Sequence, residues 1–295
     1  MDIVKETKLI GNYLIGLRKD FHKYPELSMQ EHRTSRKIKE ELDKINVKYK
    51  EGIRTEVVAT IGHGEGKVIA LRADMDALRI KENTGVRYQS ENEGVMHACG
   101  HDAHMASLLG AAMILKKYEN DIPGKIVLIF QPGEECSSGA RLISEHGYID
   151  EVEEIFGLHV FGDIECGKIS IEEGPRMAAS NKFTIKITGK SGHAGKPQQC
   201  IDATIVCAAI VMNLQSIISR EIDPLNSAVV TIGHIKSGET HNIISGEAFI
   251  EGTIRCFNAS TTKHIQTSIK RIAYSTAIAY GATASVEYDI SHHPA

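Results

Sequence analysis

Residues Ile126-Val127-Leu128-Ile129-Phe130 form an apolar run with no polar alternation. A strand wetted on one face alternates every second residue, so this one must be covered on both faces. Helices above and below a mostly parallel sheet provide that cover, which points to an α/β layer. The surrounding pattern agrees. Residues 3–17 and 28–44 have helical spacing, the second with Ser28 as its cap, and 101–117 is helical and apolar on most faces. Residues 138–146 form a shorter helix ended by Gly147, and 155–160 read as another buried strand. Val57–Ile61 and Lys67–Leu71 read as strands joined by a hairpin turn. The turn, Gly62-His63-Gly64-Glu65-Gly66-Lys67, fails as a phosphate loop because its spacing is wrong and it precedes a strand.

The style changes near residue 180. Residues 182–188 alternate polar and apolar, as in a strand with one wet face. A helix over 201–219, strands over 227–235 and 248–256, a helix over 260–280 capped by Asn258 or Ser260, and a strand over 284–289 follow. The order β-α-β-β-α-β is the split, ferredoxin-like α+β arrangement. Two domains are therefore expected, 1–177 and 178–291.

Composition excludes several roles. A net charge of -4 gives no electrostatic reason to expect nucleic acid, and 5% aromatic residues without tryptophan leave little for base stacking. No apolar run is read as a membrane span and no signal peptide is apparent. Six scattered cysteines without a CxxC pair suit reduced thiols in the cytoplasm.

Four clusters stand at or near the carboxyl ends of the buried strands, where open α/β sheets place ligands. They are Arg72-Ala73-Asp74-Met75-Asp76, His97-Ala98-Cys99-Gly100-His101-Asp102-Ala103-His104, Gln131-Pro132-Gly133-Glu134-Glu135 and Gly157-Leu158-His159-Val160. Singly, most have ordinary explanations: Asp74 and Asp76 as caps, the glutamates as a solvated pair, His159 as a core histidine. The run from His97 to His104 is denser, with three imidazoles, a thiol and a carboxylate. That donor mixture suits zinc, cobalt, nickel or manganese. The other clusters would add carboxylate ligands, an imidazole and a base, the parts a two-metal hydrolase needs.

The four clusters in this order, with the segment Arg18 to Leu27, resemble the M20 family of metallo-aminoacylases and carboxypeptidases, and most closely its amidohydrolase branch. The resemblance implies a zinc-peptidase-like catalytic domain and a smaller lid that is also a dimerisation domain. It implies Cys99, His101, Glu135 and His159 as ligands of two divalent ions, Glu134 as general base, and Asp76 as the aspartate that orients His101. Asp74 stands where many members have a histidine ligand, and Cys99 compensates. In the second domain it implies that His193, on Ser191-Gly192-His193-Ala194-Gly195, reaches the partner subunit's site, and that Asn242 and Arg255 hold the substrate carboxylate. His22, His63, His104, His146 and His234 are left as structural or exposed. The implied activity is cleavage of N-acyl amino acids by a cytoplasmic homodimer.

In that family the chain returns to the catalytic domain after the lid and adds a further histidine ligand. Here the return reaches only His292-His293-Pro294-Ala295, and neither histidine is read as the substitute. The expectation is that this chain alone lacks one ligand and part of a core, and has little hydrolase activity. Two other readings are a non-catalytic remnant that dimerises and binds metal or ligand, and a cysteine hydrolase pairing Cys99 with His97 or His101.

Overall fold

The apolar run 126–130 lies inside β4 of a computed structural model that describes residues 2–292. Its contacts divide the chain into two units, Met1–Ser170 and Ile171–Ala295. In the first, α1 (Ile3–Lys23), α2 (His32–Lys44), β1 (Tyr49–Lys50), β2 (Val57–Ile61), β3 (Val68–Asp74), α3 (His101–Lys117), β4 (Lys125–Gln131), α4 (Gly139–Glu145) and β5 (Glu154–Gly157) follow in order. The sheet order is β1-β2-β4-β3-β5. It is a mixed sheet: β4-β3 and β3-β5 are parallel, while β1-β2 and β2-β4 are antiparallel.

Both faces of β4 are covered, which accounts for its unbroken apolar sequence. Ile126, Leu128 and Phe130 pack with Phe21, Ile38, Leu42, Met105 and Leu109 from α1, α2 and α3. Val127 and Ile129 pack on the opposite face with Val58, Ala70 and Ile143, the last from α4. Each such side chain, fully removed from water, stabilises the unit by about 1.5–3 kcal/mol.

Three local expectations change. β2 and β3 do not form a hairpin, because β4 lies between them and pairs with both. The glycines of the 62–67 turn serve close packing on the approach to β4 instead: a Cβ on Gly64 would sit 2.0 Å from the Pro123 carbonyl oxygen. The second helix begins at His32, not Ser28. The Glu26 carboxylate accepts the N–H groups of Arg33 and Thr34 there, and Ser28 is engaged elsewhere. Finally, the run 155–160 is not buried. β5 is the last strand of the sheet, and Ile155, Phe156 and Leu158 are 52–57% exposed.

The second unit contains β6 (Ser180–Thr188), β7 (Gly192–His193), α5 (Ala203–Ser216), β8 (Ala228–Ser237), β9 (Ile243–Ile244), β10 (Glu247–Cys256), α6 (Ala259–Ala279) and β11 (Thr283–His292). Its antiparallel sheet has the order β11-β6-β10-β8, and β7 and β9 form a small separate ribbon. The alternation of β6 is real: Phe183, Ile185 and Ile187 are buried against Val206, Ile210 and Leu214 of α5 and Ile265 and Ile269 of α6. Asp202 caps α5 and Asn258 caps α6. Gly252 sits at a bulge between β10 and β8, where a Cβ would lie 2.3 Å from the Phe183 ring and 2.4 Å from the Thr231 carbonyl oxygen.

By length and composition, the helical stretch Ala203–Glu221, mean hydropathy 1.5, would reach across a membrane. Within the unit, however, Ala203, Val206, Cys207, Ile210 and Leu214 recur on one face and are buried against the sheet, as a core helix requires. Of the segment 292–295, read as the start of a return, His292 is the last residue of β11 and 293–295 lie outside the described residues.

Candidate metal centre

β3 and β4 are parallel neighbours with Asp74 paired to Gln131, so the segments that leave them emerge side by side. One carries Asp74 and Asp76, the other Glu134 and Glu135. α3 begins at His101 beside both. The turn into it needs Gly100, whose φ is +85° and whose Cβ, if it had one, would lie 2.3 Å from Val160 Cγ2. That contact brings the segment after β5, with His159, against the start of α3.

His101, 1% exposed, is the point of convergence. Donor atoms lie within 4.8 Å of one another in three sets: Cys99, His101 and His159; Asp74, His101 and His104; and His101, Glu134 and Glu135. All five residues expected to act as metal ligands or base are thus brought together. The Cys99 Sγ is 3.5 Å from His159 Nε2.

The hydrogen bonds leave the donor atoms facing one another. His101 Nδ1 lies 2.8 Å from the Asp76 carbonyl oxygen and 3.4 Å from its Oδ1, while Nε2 has no hydrogen-bond partner. His159 directs Nδ1 to the Val160 carbonyl oxygen at 2.7 Å, turning Nε2 towards Cys99. An imidazole that donates through one nitrogen to a backbone carbonyl is fixed in the tautomer that ligates through the other. The expected orienting role of Asp76 therefore has two routes, its carbonyl and its carboxylate. The carboxylate is itself held by the Ser28 hydroxyl at 2.6 Å and the Glu135 N–H at 3.0 Å.

Charge points the same way. Burial and the neighbouring charges of Asp74 and Glu135 push the Glu134 carboxyl up to about 7. Burial acts to lower the pKa of His101, yet the neighbouring Asp76 and Cys99 side chains and the charge of Asp74 raise it to about 11. A cluster that draws a proton onto a buried imidazole is one that favours a cation at its centre. With Nε2 of His101 and Oε1 of Glu135 buried and unpartnered, and a thiol and second imidazole beside them, the residues fit divalent metal ions of borderline softness.

Several participants were not legible in advance. His104, left as structural or exposed, is 1% exposed; its Nε2 accepts the Val160 N–H at 3.0 Å and its Nδ1 lies 3.4 Å from Asp74 Oδ2. It braces the site. Asp74 is also gripped by Arg72. Ser28 supports Asp76 from 48 positions away, a contact no local motif announces. His97 is buried with neither ring nitrogen hydrogen-bonded, and burial pushes its pKa down to about 4. His22 is structural as expected, joining Asp102 at 2.8 Å and Glu82 at 3.2 Å.

The second unit places His193, Asn242 and Arg255 in two locations. His193 is paired to Ile243 in the β7-β9 ribbon, and Ala194 N–H donates to the Asn242 carbonyl at 3.1 Å, so these two are neighbours. Arg255 is exposed near the far end of β10. The eight steps of strand from Glu247 to Arg255 span about 26 Å.

The comparisons agree with this geometry. Residues 70–293 match the model of peptidase family M20/M25/M40. The chain is 41% identical over 277 residues to N-acetyl-L-cysteine deacetylase of Bacillus subtilis, covering 93% of this chain and 67% of that protein. It is 40% identical over 278 residues to IAA-amino acid hydrolase ILR1-like 4 of Arabidopsis thaliana, covering 94% of this chain and 63% of that one. A crystal structure of a dinuclear metal-binding M20 peptidase from Bacillus subtilis superposes with a TM-score of 0.83 at 36% identity, over 97% of this chain and 76% of that chain. With the fold, the donor cluster and these relatives in agreement, the chain belongs to peptidase family M20/M25/M40 and is of its metal-dependent amidohydrolase kind.

Proposed function

We propose that the protein hydrolyses the amide bond of N-acyl amino acids, with Cys99, His101, Glu135 and His159 as ligands of two divalent ions drawn from zinc, manganese, cobalt and nickel. The observation that carries this reading is the convergence of three donor sets on His101, with its ligating nitrogen buried and unpartnered. When bound, the ions would polarise the scissile carbonyl and acidify water. Glu134 is the general base. It takes the proton from the attacking water and hands it to the leaving amine, and a carboxyl raised to about 7 is suited to both transfers near neutral pH. Asp76 keeps His101 in its ligating tautomer, and Ser28 and the Glu135 N–H keep Asp76 in place.

His193 and Asn242 are read as contacts to substrate, His193 stabilising the developing oxyanion, and Arg255 as a fork for the substrate carboxylate. The length of β10, about 26 Å from Glu247 to Arg255, argues against both groups of one copy meeting one small carboxylate. This supports a homodimer in which two copies contribute. Strand β8, at one edge of its sheet, and the exposed Ile205 and Met212 of α5 offer surface for such pairing. The six free cysteines fit a reducing compartment, the cytoplasm.

The test is turnover of N-acetyl- and N-benzoyl-amino acids before and after chelation, with manganese or zinc restored. Activity lost on chelation and regained with metal supports the proposal. Chelator-resistant activity that a thiol alkylating reagent abolishes would move the assignment to Cys99 as a nucleophile.

A further inference from the structure

The loop that carries Glu134 and Glu135 leaves β4 as irregular backbone, with Gly133 at φ +56° and Ser137 at φ +59°. What secures it comes from a segment about a hundred residues earlier. The Glu31 side chain is fully buried, and its Oε1 accepts the Gly133 N–H at 2.8 Å and the Met29 N–H at 2.9 Å. Its Oε2 accepts the Thr55 hydroxyl at 2.6 Å. Glu31 is the residue before α2, but its side chain makes no cap to that helix. Among the described residues it has no ion-pair partner. Burying a carboxylate without a cation is costly, and three converging donors offset that cost.

The same segment makes two further contacts. Met29, itself in the left-handed region at φ +63°, lies against Gly133, where a Cβ would come 2.6 Å from its sulfur. Ser28 holds the Asp76 carboxylate that receives the Glu135 N–H. Residues 28–31 therefore grip the loop on both sides of Glu134, directly at Gly133 and through Asp76 at Glu135.

We propose that Glu31 is a positioning residue, which fixes Glu134 and Glu135 over the donor cluster by clamping the Gly133 backbone. The roles of Glu134 as base and Glu135 as ligand, on which this rests, come from the proposed function. No sequence motif assigns Glu31 a part in the site.

The test compares Glu31→Ala, Glu31→Gln and Thr55→Val for cobalt(II) affinity and visible spectrum, for kcat and KM on an N-acyl amino acid, and for melting temperature. Glu31→Ala is expected to weaken cobalt binding about 10-fold. It should lower kcat about 100-fold, with KM changed less than about threefold. Glu31→Gln should retain kcat and cobalt affinity within about fivefold. Its amide oxygen still accepts from Gly133 and Met29, and the Thr55 hydroxyl can reverse to accept from the amide. A Glu31→Ala protein that melts lower but keeps wild-type cobalt affinity, spectrum and kcat overturns the clamp. So does a Glu31→Gln protein as impaired as Glu31→Ala. If Glu31→Ala does not fold, Thr55→Val decides: a several-fold loss of kcat at unchanged KM supports the clamp, and wild-type kcat overturns it. If the wild-type protein binds cobalt but cleaves no N-acyl amino acid, the functional reading fails, and the cobalt affinities and spectra alone decide on Glu31.

Discussion

Replacing the proposed base with its amide, Glu134→Gln, should abolish activity while stabilising the metal-free protein. The Glu134 carboxyl is raised from an ordinary 4.5 to about 7, first by burial and then by Asp74 and Glu135. The folded state therefore holds this proton to higher pH than the unfolded chain does, so stability falls as pH rises between 4.5 and about 7. At 1.36 kcal/mol per pH unit the full effect is about 3.4 kcal/mol. Partial solvation of the side chain reduces it to about 2 kcal/mol. Glutamine has no proton to lose and removes the penalty. Chelator-treated wild type and Glu134→Gln should thus differ by about 2 kcal/mol at pH 8 and by only about 0.5 kcal/mol at pH 5, the variant being the more stable. In urea unfolding with a slope of about 2–3 kcal/mol/M, the pH 8 midpoint should rise by roughly 0.7–1 M. Saturating divalent metal should shrink or invert the difference, since a cation favours the charged carboxylate. The same variant should lose kcat by about 10²–10⁴-fold. A variant less stable than wild type at pH 8, or a difference equal at both pH values, would refute the reasoning.

Other outcomes follow from single contacts. Gly252→Ala forces a Cβ into the Phe183 ring and the Thr231 carbonyl, and should cost the second unit about 2 kcal/mol or more in a melting experiment. Phe130→Ala, which empties a fully buried position of the first unit, should cost about 3–5 kcal/mol by the same measurement. Arg255→Ala should raise KM with little change in kcat, and Arg255→Lys should restore only part of it, because a lysine cannot form the bidentate fork. If two copies share substrate contacts, mixing His193→Ala and Arg255→Ala proteins at substrate far below the raised KM, where each alone turns over little, should regain about a quarter of wild-type activity, half the dimers being mixed and each having one intact site. No recovery on mixing would place all contacts in one copy.

How much of this was legible in the sequence varies with how local the cause is. The unbroken run 126–130 was enough to place β4 in the interior, because burial on both faces is a property of the strand alone. Cys99 and His101 were legible because their donors are packed into consecutive residues at the start of one helix. The position of β4 between β2 and β3 was not, since strand order depends on pairing between distant segments and leaves no trace in either strand. The run 155–160 failed for a related reason: apolar composition marks a surface that suits burial, while actual burial depends on what packs there. Ser28 has good helix-capping chemistry, yet its hydroxyl serves Asp76, and Glu26 takes the capping role. Glu31 contacts a loop that follows another strand, so it is not flagged by its neighbours in sequence, and His104, though part of the donor run, shows its contacts to Asp74 and Val160 only in the fold.

The central claim is that Cys99, His101, Glu135 and His159 bind a pair of divalent ions. X-ray absorption at the zinc edge of the zinc-loaded protein tests it most directly. One sulfur scatterer at about 2.3 Å among nitrogen and oxygen ligands, lost in Cys99→Ser, is expected. A second zinc at about 3.5–4 Å is expected with it. A shell of nitrogen and oxygen alone, unchanged by Cys99→Ser, would contradict the claim.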